Sequence, residues 1–475
     1  MPDQENNCPE RPDPASLLAR IVIKGRLVLE SPLRIGTGAE GAGSQEADIY
    51  VLKDEQGRPF IPGSSLAGVL RAGMQAGGQA DLVRLFFGDA RTERDPRAEK
   101  LQSSLDVRDI MLNDTEIVLR DGVSLLQGTG TARATGKFNY EAVERGANGK
   151  LELVLTLRRR HEAQYEPVLA AATELAQLLR QGIQLGSLTS SGFGRAACPD
   201  LHLYVYDFRQ SGAAVAAWLL GQEYGEVLLA EQPEKLLPCG AFRVEAQFRL
   251  STPLLVRQYT EEKLQESVAG LTITARPLDS RDDYVLPGTS LKGVLRHRAA
   301  RILQKLDWPQ DTAAAWLSDL MGTAGGPDGA GAKKSRLLVA ESYIKKEHIQ
   351  VAAQPRTRID RFTGGGIRGM LFGERALWQK GEEPVLELSY ELRDPKPGEI
   401  GLALLLLKDM WLGDVALGGD KSIGRGRLQG AQATLTYRSP EGETLAWQID
   451  ADGMLHGAQA PQLEAWVEEL AEARR

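Results

Sequence analysis

Apolar and polar residues alternate through IVIKGRLVLE (Ile21–Glu30) and again through FRVEAQFRL (Phe242–Leu250), the two-residue period of a half-buried strand. Each is followed by a Gly-rich or polar loop, then by a short strand running into Pro-Gly and a helix. The helical runs are LAGVLRAGMQ and LKGVLRHRAARIL; Ser64 and Ser65, or Thr289 and Ser290, stand where an N-terminal cap is wanted. A long insertion rich in strand-like and polar segments comes next. A strand (LELVLTLRRR or VLELSYELR) then leads to a strongly apolar helix, PVLAAATELAQLLRQG or EIGLALLLLKDMWLGD. A Gly-rich loop and a last strand, RAACPDLHLYVYDF or GRLQGAQATLTYR, close each half.

The two halves are copies. IPGSSLAGVLR (Ile61–Arg71) returns as LPGTSLKGVLR (Leu286–Arg296), and SPLRIG (Ser31–Gly36) has a weaker partner in TPLLVR (Thr252–Arg257). RATG (Arg133–Gly136) pairs with RFTG (Arg361–Gly364), and LGSLTSSGFGR (Leu185–Arg195) with LGGDKSIGRGR (Leu417–Arg427). Four matches in one order, with a spacing that drifts by only a few residues, mark a tandem duplication. Within a copy the order strand, helix, strands, helix, strand suits an antiparallel sheet with helices on one face. The fold class is therefore α+β: tandem ferredoxin-like (RRM-like) domains, with the insertion standing outside the sheet. The expected organisation is a flexible N-terminal segment (1–18), a first domain (19–208), a linker (209–240), a second domain (241–438) and a C-terminal extension (439–475). The linker has room for a short helix, and the extension ends in an amphipathic helix at Ala460–Arg475.

Composition narrows the class. A chain of 475 residues exceeds what one core usually serves, and 42% hydrophobic with 25% charged residues is an ordinary globular profile. Cys8, Cys198 and Cys239 are scattered, so neither a disulfide framework nor a structural zinc site is expected, and a reducing cytoplasm is. The N-terminus lacks an apolar signal core, and no apolar run is long enough to span a membrane. The net charge of −7 excludes a protein that is basic all over, but not a local basic groove. Arg356, Arg358, Arg361 and Arg368 cluster with only Asp360 opposing them. Such a cluster alone reads as a solvated face.

The Gly-rich loops are the next candidates. Backbone N–H groups around Gly192, Gly194, Gly424 and Gly426 can cradle phosphates, with Arg195, Lys421, Arg425 and Arg427 beside them. The alternative is a tight turn in which glycine only supplies positive φ. No P-loop or HExxH motif occurs, and the five histidines form no cluster. Only His297, next to Arg296 on the second Pro-Gly helix, is placed where it could matter.

The series RIG, then DIYVLKDEQGRPFIPGSSLAGVLR, then a terminal GxGR loop, resembles the RAMP superfamily, and more narrowly the backbone subunit of type III CRISPR–Cas effectors. RTRIDRFTGGGIRGMLF (Arg356–Phe372) is similar to the family's mid-domain signature, and two fused copies look like type III-D systems. The resemblance implies partners: a CRISPR guide RNA, a complementary target RNA and further effector subunits. It implies β-hairpin thumbs in the insertions, around Asp106–Gly149 and Ser335–Gly381, that kink the guide–target duplex. RNA contacts are then expected from Arg71, Arg133, Arg195, Lys292, Arg296, Arg356, Arg358, Arg361, Arg368, Lys421, Arg425 and Arg427.

The resemblance also implies target cleavage from an aspartate in the loop before the Pro-Gly helix, here Asp48, with Mg2+ or Mn2+ and attack by a 2′-hydroxyl. Asp54, nearer the helix, reads as a turn residue. The second copy has Ile273 at the position of Asp48, flanked by Thr272 and Thr274, so only the first copy is expected to cut. Three other readings stay open: a guide-binding scaffold without nuclease activity, a metal-free guide-processing enzyme using His297, and an α+β protein unrelated to RNA.

Overall fold

The computed structural model describes residues 13–36, 47–76, 78, 80–89, 101–125, 132–209, 212–230, 237–258, 267–268, 271–323, 331–457 and 460–473. In the first copy, β1 (Leu17–Leu29) lies between β5 (Asn148–Arg158) and β6 (His202–Asp207), and β2 (Leu105–Val107) pairs with the far side of β5. All these pairings are antiparallel. The second copy repeats the order: β7 (Ala241–Leu250) lies between β11 (Leu386–Arg393) and β12 (Leu428–Arg438), with β8 (Leu337–Val339) outside β11. Here β13 (Thr444–Ile449) extends the sheet beyond β12. Each insertion thus lends one short strand to the main sheet, which its polar composition had not suggested.

The helices are α1 (Gly63–Ala76), α2 (Ala80–Phe87), α3 (Tyr165–Gln181), α4 (Gly212–Leu219), α5 (Gly288–Lys305), α6 (Gln310–Met321), α7 (Pro397–Trp411) and α8 (Ala460–Glu472). Leu66 and Leu70 of α1 and Leu175 and Leu179 of α3 bury against Ile21, Ile23, Leu153 and Leu155, forming the first core. Leu291 and Leu295 of α5 and Leu402 and Leu406 of α7 do the same against Val244, Leu388 and Leu435. The C-terminal extension belongs to this second core. Trp466 of α8 stacks edge-on against Phe242, Tyr437 and Trp447, and α8 approaches α7 so closely that a Cβ on Gly401 would lie 2.1 Å from the Trp466 carbonyl oxygen.

The Pro-Gly helices start differently from the expected serine and threonine caps. α5 has Pro287 at its N-cap position and no side-chain cap bond. In α1 the Gly63 N–H donates instead to Asp109 Oδ1 at 2.7 Å, a carboxylate brought from the insertion. What remains of each insertion is an antiparallel hairpin: β3 (Ile117–Leu125) with β4 (Ala132–Val143), and β9 (Ile349–Ile359) with β10 (Gly366–Gln379). An equivalent bridge ties each hairpin to its own domain, Leu33 to Val143 and Leu254 to Leu377.

Candidate nucleic-acid interface

The Gly-rich loops are built as turns. Gly194 and Gly426 have φ of +77° and +76°, and a Cβ there would lie 1.8 and 1.9 Å from the carbonyl oxygens of Leu185 and Leu417. Their N–H groups are already donated, to Pro32 O at 2.7 Å and Pro253 O at 2.9 Å. The next N–H, of Arg195 or Arg427, goes to Ser31 Oγ or Thr252 Oγ at 2.9 Å in both copies. A phosphate cradle needs free donors, so these two glycines are not one. Gly192 packs against Glu341 of the second copy, and Gly424 alone stands open to solvent.

Several expected RNA-binding cations are also spent inside the protein. Arg425 is only 3% exposed; it reaches Asp420 at 3.4 Å and Glu374 at 3.6 Å and donates to Gln354 Oε1 at 2.8 Å. Arg356 joins the same two carboxylates, as does Arg257. Lys292 donates to Ser190 O, Ser190 Oγ and Ser335 Oγ, and burial followed by the nearby Arg296 charge pushes its pKa down to about 8. Arg296 donates to Gly322 O and Arg427 to Gly413 O, both at 2.8 Å, and Arg195 pairs with Glu30. Arg71 is half-buried on α1. The sequence shows where these cations cluster, but not which carboxylates other strands bring to meet them.

Arg358, Arg361 and Arg368 behave otherwise. They are exposed on the second hairpin, with no ion-pair partner among the described residues. Phe362, between them, is 100% exposed. Asp360 turns the tip by accepting the N–H groups of Phe362 and Thr363, at 2.9 and 2.8 Å. Lys421 is exposed on the neighbouring loop. The side chain of Arg133, on β4 of the first hairpin, lies outside the described residues.

Asp48 sits exposed beside the first hairpin. Its N–H donates to Asn139 O at 3.1 Å, and its Oδ2 accepts the Asn139 N–H at 2.7 Å, so one carboxylate oxygen anchors the loop to β4 while the other has no hydrogen-bond partner among the described residues. Among the described residues no three His, Cys, Asp or Glu side chains gather closely enough to hold a metal. In the second copy the strand Leu271–Pro277 runs parallel to β10 and places Ala275 opposite Glu374, as Ile49 stands opposite Tyr140. The residue preceding Ala275 is Thr274, so neither sequence nor register supplies a carboxylate there. Asp54 accepts the N–H groups of Gln56 and Arg58 at 2.9 and 2.8 Å in its turn. Hydrogen bonding from Arg58 holds its carboxyl below the usual range. His297 is exposed on the surface of α5.

Sequence reasoning missed the joint between the copies. Ser191 O and Ala340 O crowd Gly288 at the start of α5, so the first copy's Gly loop sits on the second copy's helix N-terminus. Beside it Arg145 donates to Ser280 O and to Asp283 Oδ2, at 3.2 and 2.6 Å, and stacks on Tyr343. Glu144, fully buried, pairs with Arg120 at 3.1 Å and accepts from Ser280 Oγ at 2.7 Å. Glu341 is buried next to it, and desolvation first of all raises its pKa to about 7.

Two sheets of one strand order, each with a hairpin insertion and a GxGR turn, define a duplicated mixed α and β chain. The RAMP superfamily model matches it twice, over residues 26–197 and 247–429, and the chain belongs to that superfamily. It is also similar to a protein of Methanocaldococcus jannaschii named CRISPR system Cms endoribonuclease Csm3. The two are 25% identical over 215 residues, which is 39% of this chain and 84% of that protein. No helix among the described residues is long and apolar enough to cross a membrane.

Proposed function

We propose that this chain is a backbone subunit of a type III CRISPR RNA-guided complex in the cytoplasm, holding a guide RNA, its complementary target and neighbouring effector subunits. Support for a Csm3-like role comes from the two RAMP matches and from that relative's printed name. Each copy is then a ferredoxin-like RNA-binding domain with its hairpin as a thumb. The observation that carries the reading is the second hairpin, where three arginines without an ion-pair partner among the described residues flank a fully exposed phenylalanine. Arginines on an acidic chain provide local phosphate contacts, and an exposed ring offers a stacking face to a base.

Cleavage falls to the first copy. Asp48 is exposed and offers one carboxylate oxygen fixed by Asn139 and one without a hydrogen-bond partner among the described residues. That suits a residue that orients a 2′-hydroxyl against the adjacent phosphate, and it suits a single protein ligand to Mg2+ or Mn2+. The bound cation would neutralise phosphate charge, and its remaining ligands would come from RNA and water. In a reconstituted complex, Asp48→Asn keeps an acceptor for the Asn139 N–H but removes the charge. The expected result is loss of one target cut with target binding unchanged, and Asp48→Ala should behave the same way. If every cut survives both substitutions, the chain is a guide-binding scaffold.

A further inference from the structure

The segment that carries Asp48 is held by the hairpin strand beside it. Next to the two bonds between Asp48 and Asn139, the Glu141 N–H of β4 donates to Ile49 O at 2.9 Å. Beyond Ile49 the segment turns away from β4 toward the first domain: Val51 bridges Gly36, and the Leu52 N–H donates to Ile35 O at 2.8 Å. The Glu141 side chain spans that point of departure. Its Oε2 accepts the Val51 N–H at 3.1 Å and meets Lys53 Nζ at 3.3 Å, and the side chain is only 17% exposed. A carboxylate thus continues the tie to β4 where backbone pairing stops, three residues after Asp48.

The second copy keeps the frame and has lost the tie. The bridge between Gly36 and Val51 returns as Arg257 with Pro277, and that between Lys53 and Pro59 as Asp279 with Tyr284. Pro277 has no N–H to donate. Arg375, after Glu374, stands where Glu141 follows Tyr140, and Asp279 stands where Lys53 does. Donor, acceptor and cation have all changed in the copy whose Asp48 position holds Thr274. Ala275 still lies opposite Glu374 as Ile49 lies opposite Tyr140, so this corner folds without the tie. A clamp the fold does not need, present only beside Asp48, serves Asp48.

We infer that Glu141 is a positioning residue for target cleavage: its carboxylate clamps Val51 and Lys53 to the hairpin and so holds Asp48 in register against Asn139. This role rests on the reading that Asp48 directs cutting. Two measurements test it. In hydrogen exchange of the full chain without RNA, Glu141→Ala should speed exchange across residues 48–52 about tenfold or more. Glu141→Gln keeps an oxygen for the Val51 N–H, so its exchange should stay within about threefold of wild type. In the reconstituted complex at saturating target, Glu141→Ala should slow the Asp48-dependent cut about tenfold or more, with target affinity unchanged. Glu141→Gln should recover most of that rate, and circular dichroism should show an intact fold in both variants. Unchanged exchange in Glu141→Ala overturns the positioning role, as does equal loss of rate in the two variants. A normal rate in Glu141→Ala also overturns it, and leaves the role of Asp48 standing if Asp48→Asn abolishes the same cut. If that cut survives Asp48→Asn, the reading of Asp48 falls, and the positioning role with it.

Discussion

The same corner, where the hairpin meets the Gly loop, is built from opposite chemistry in the two copies. Residues pair identically: Arg120 with Tyr140 on the first hairpin, Gln354 with Glu374 on the second. In the first copy Tyr140 meets Phe193 edge-on at 6.0 Å, with Ala142 and Leu188 closing an apolar cluster and Arg34 over the Tyr140 ring. In the second copy Glu374 takes the place of Tyr140, Arg425 that of Phe193 and Asp420 that of Leu188, and Arg257 and Arg356 complete an ionic cluster. Backbone geometry is conserved through the exchange. Leu188 and Asp420 both hold a left-handed φ, of 58° and 56°. A backbone frame can thus be kept while the filling changes from ring contacts beside one sealed Arg120–Glu144 pair to a partly exposed cluster of three arginines and two carboxylates, and the difference in filling predicts a difference in response.

The largest expected effect lies in what the corners share. Gly194→Ala or Gly426→Ala places a methyl group within 2 Å of a carbonyl oxygen, at positive φ. Each should cost more than about 3 kcal/mol and lower the thermal midpoint of its own copy. A midpoint shift of a degree or less would mean that the turn can relax, and that the two corners share less than their backbones suggest. Next comes Phe193→Ala, which empties a fully buried site and should cost about 3 kcal/mol, read as faster hydrogen exchange at the base of β3 and β4. Arg425→Ala removes one of three arginines from a cluster that keeps the other two, so about 1 to 3 kcal/mol is expected, at β9 and β10 only. Molar salt separates the corners more gently. It should speed exchange on the second hairpin, whose Arg257 and Arg356 are partly exposed, and leave the first unchanged. Equal salt responses would break the comparison.

These differences explain what could and could not be read from the chain itself. The period-2 strands, the apolar helices and the tandem repeat were legible because a core requires regular spacing, and spacing is written locally. The roles of Arg425 and Lys292 were not. Their partners lie on other elements, Glu374 from a strand some fifty residues earlier in the chain and Ser190 from the other copy. A cation beside glycines reads the same whether it faces phosphate or a buried carboxylate. Arg358, Arg361 and Arg368 of the second hairpin were legible because they have no ion-pair partner among the described residues, so local composition and final environment agree. Asp48 lies between these cases: its exposure followed from its loop, whereas the bond that fixes its carboxylate to Asn139 did not.

The smallest effect concerns one position occupied differently in the two copies. Asp109 is exposed and binds the Gly63 N–H; Glu341, its counterpart, is sealed under the first copy's Gly loop. Burial dominates at Glu341, with Arg120 and Arg145 favouring its charge and Glu144 opposing it. Tyr343 donates to its Oε2 at 3.2 Å. Because the folded pKa of about 7 lies above the unfolded value of a glutamate, the folded joint binds the extra proton. The stabilisation is complete at the acid end of this window and is lost as pH rises through about 7. Thermal midpoints of the second copy should therefore fall by a few degrees between mildly acidic and mildly alkaline buffer. Glu341→Gln, neutral at every pH, should flatten that fall, and Asp109→Asn should leave it as it is. If both variants keep the wild-type slope, the proton is bound elsewhere, and the seal over Glu341 is looser than its 8% exposure indicates.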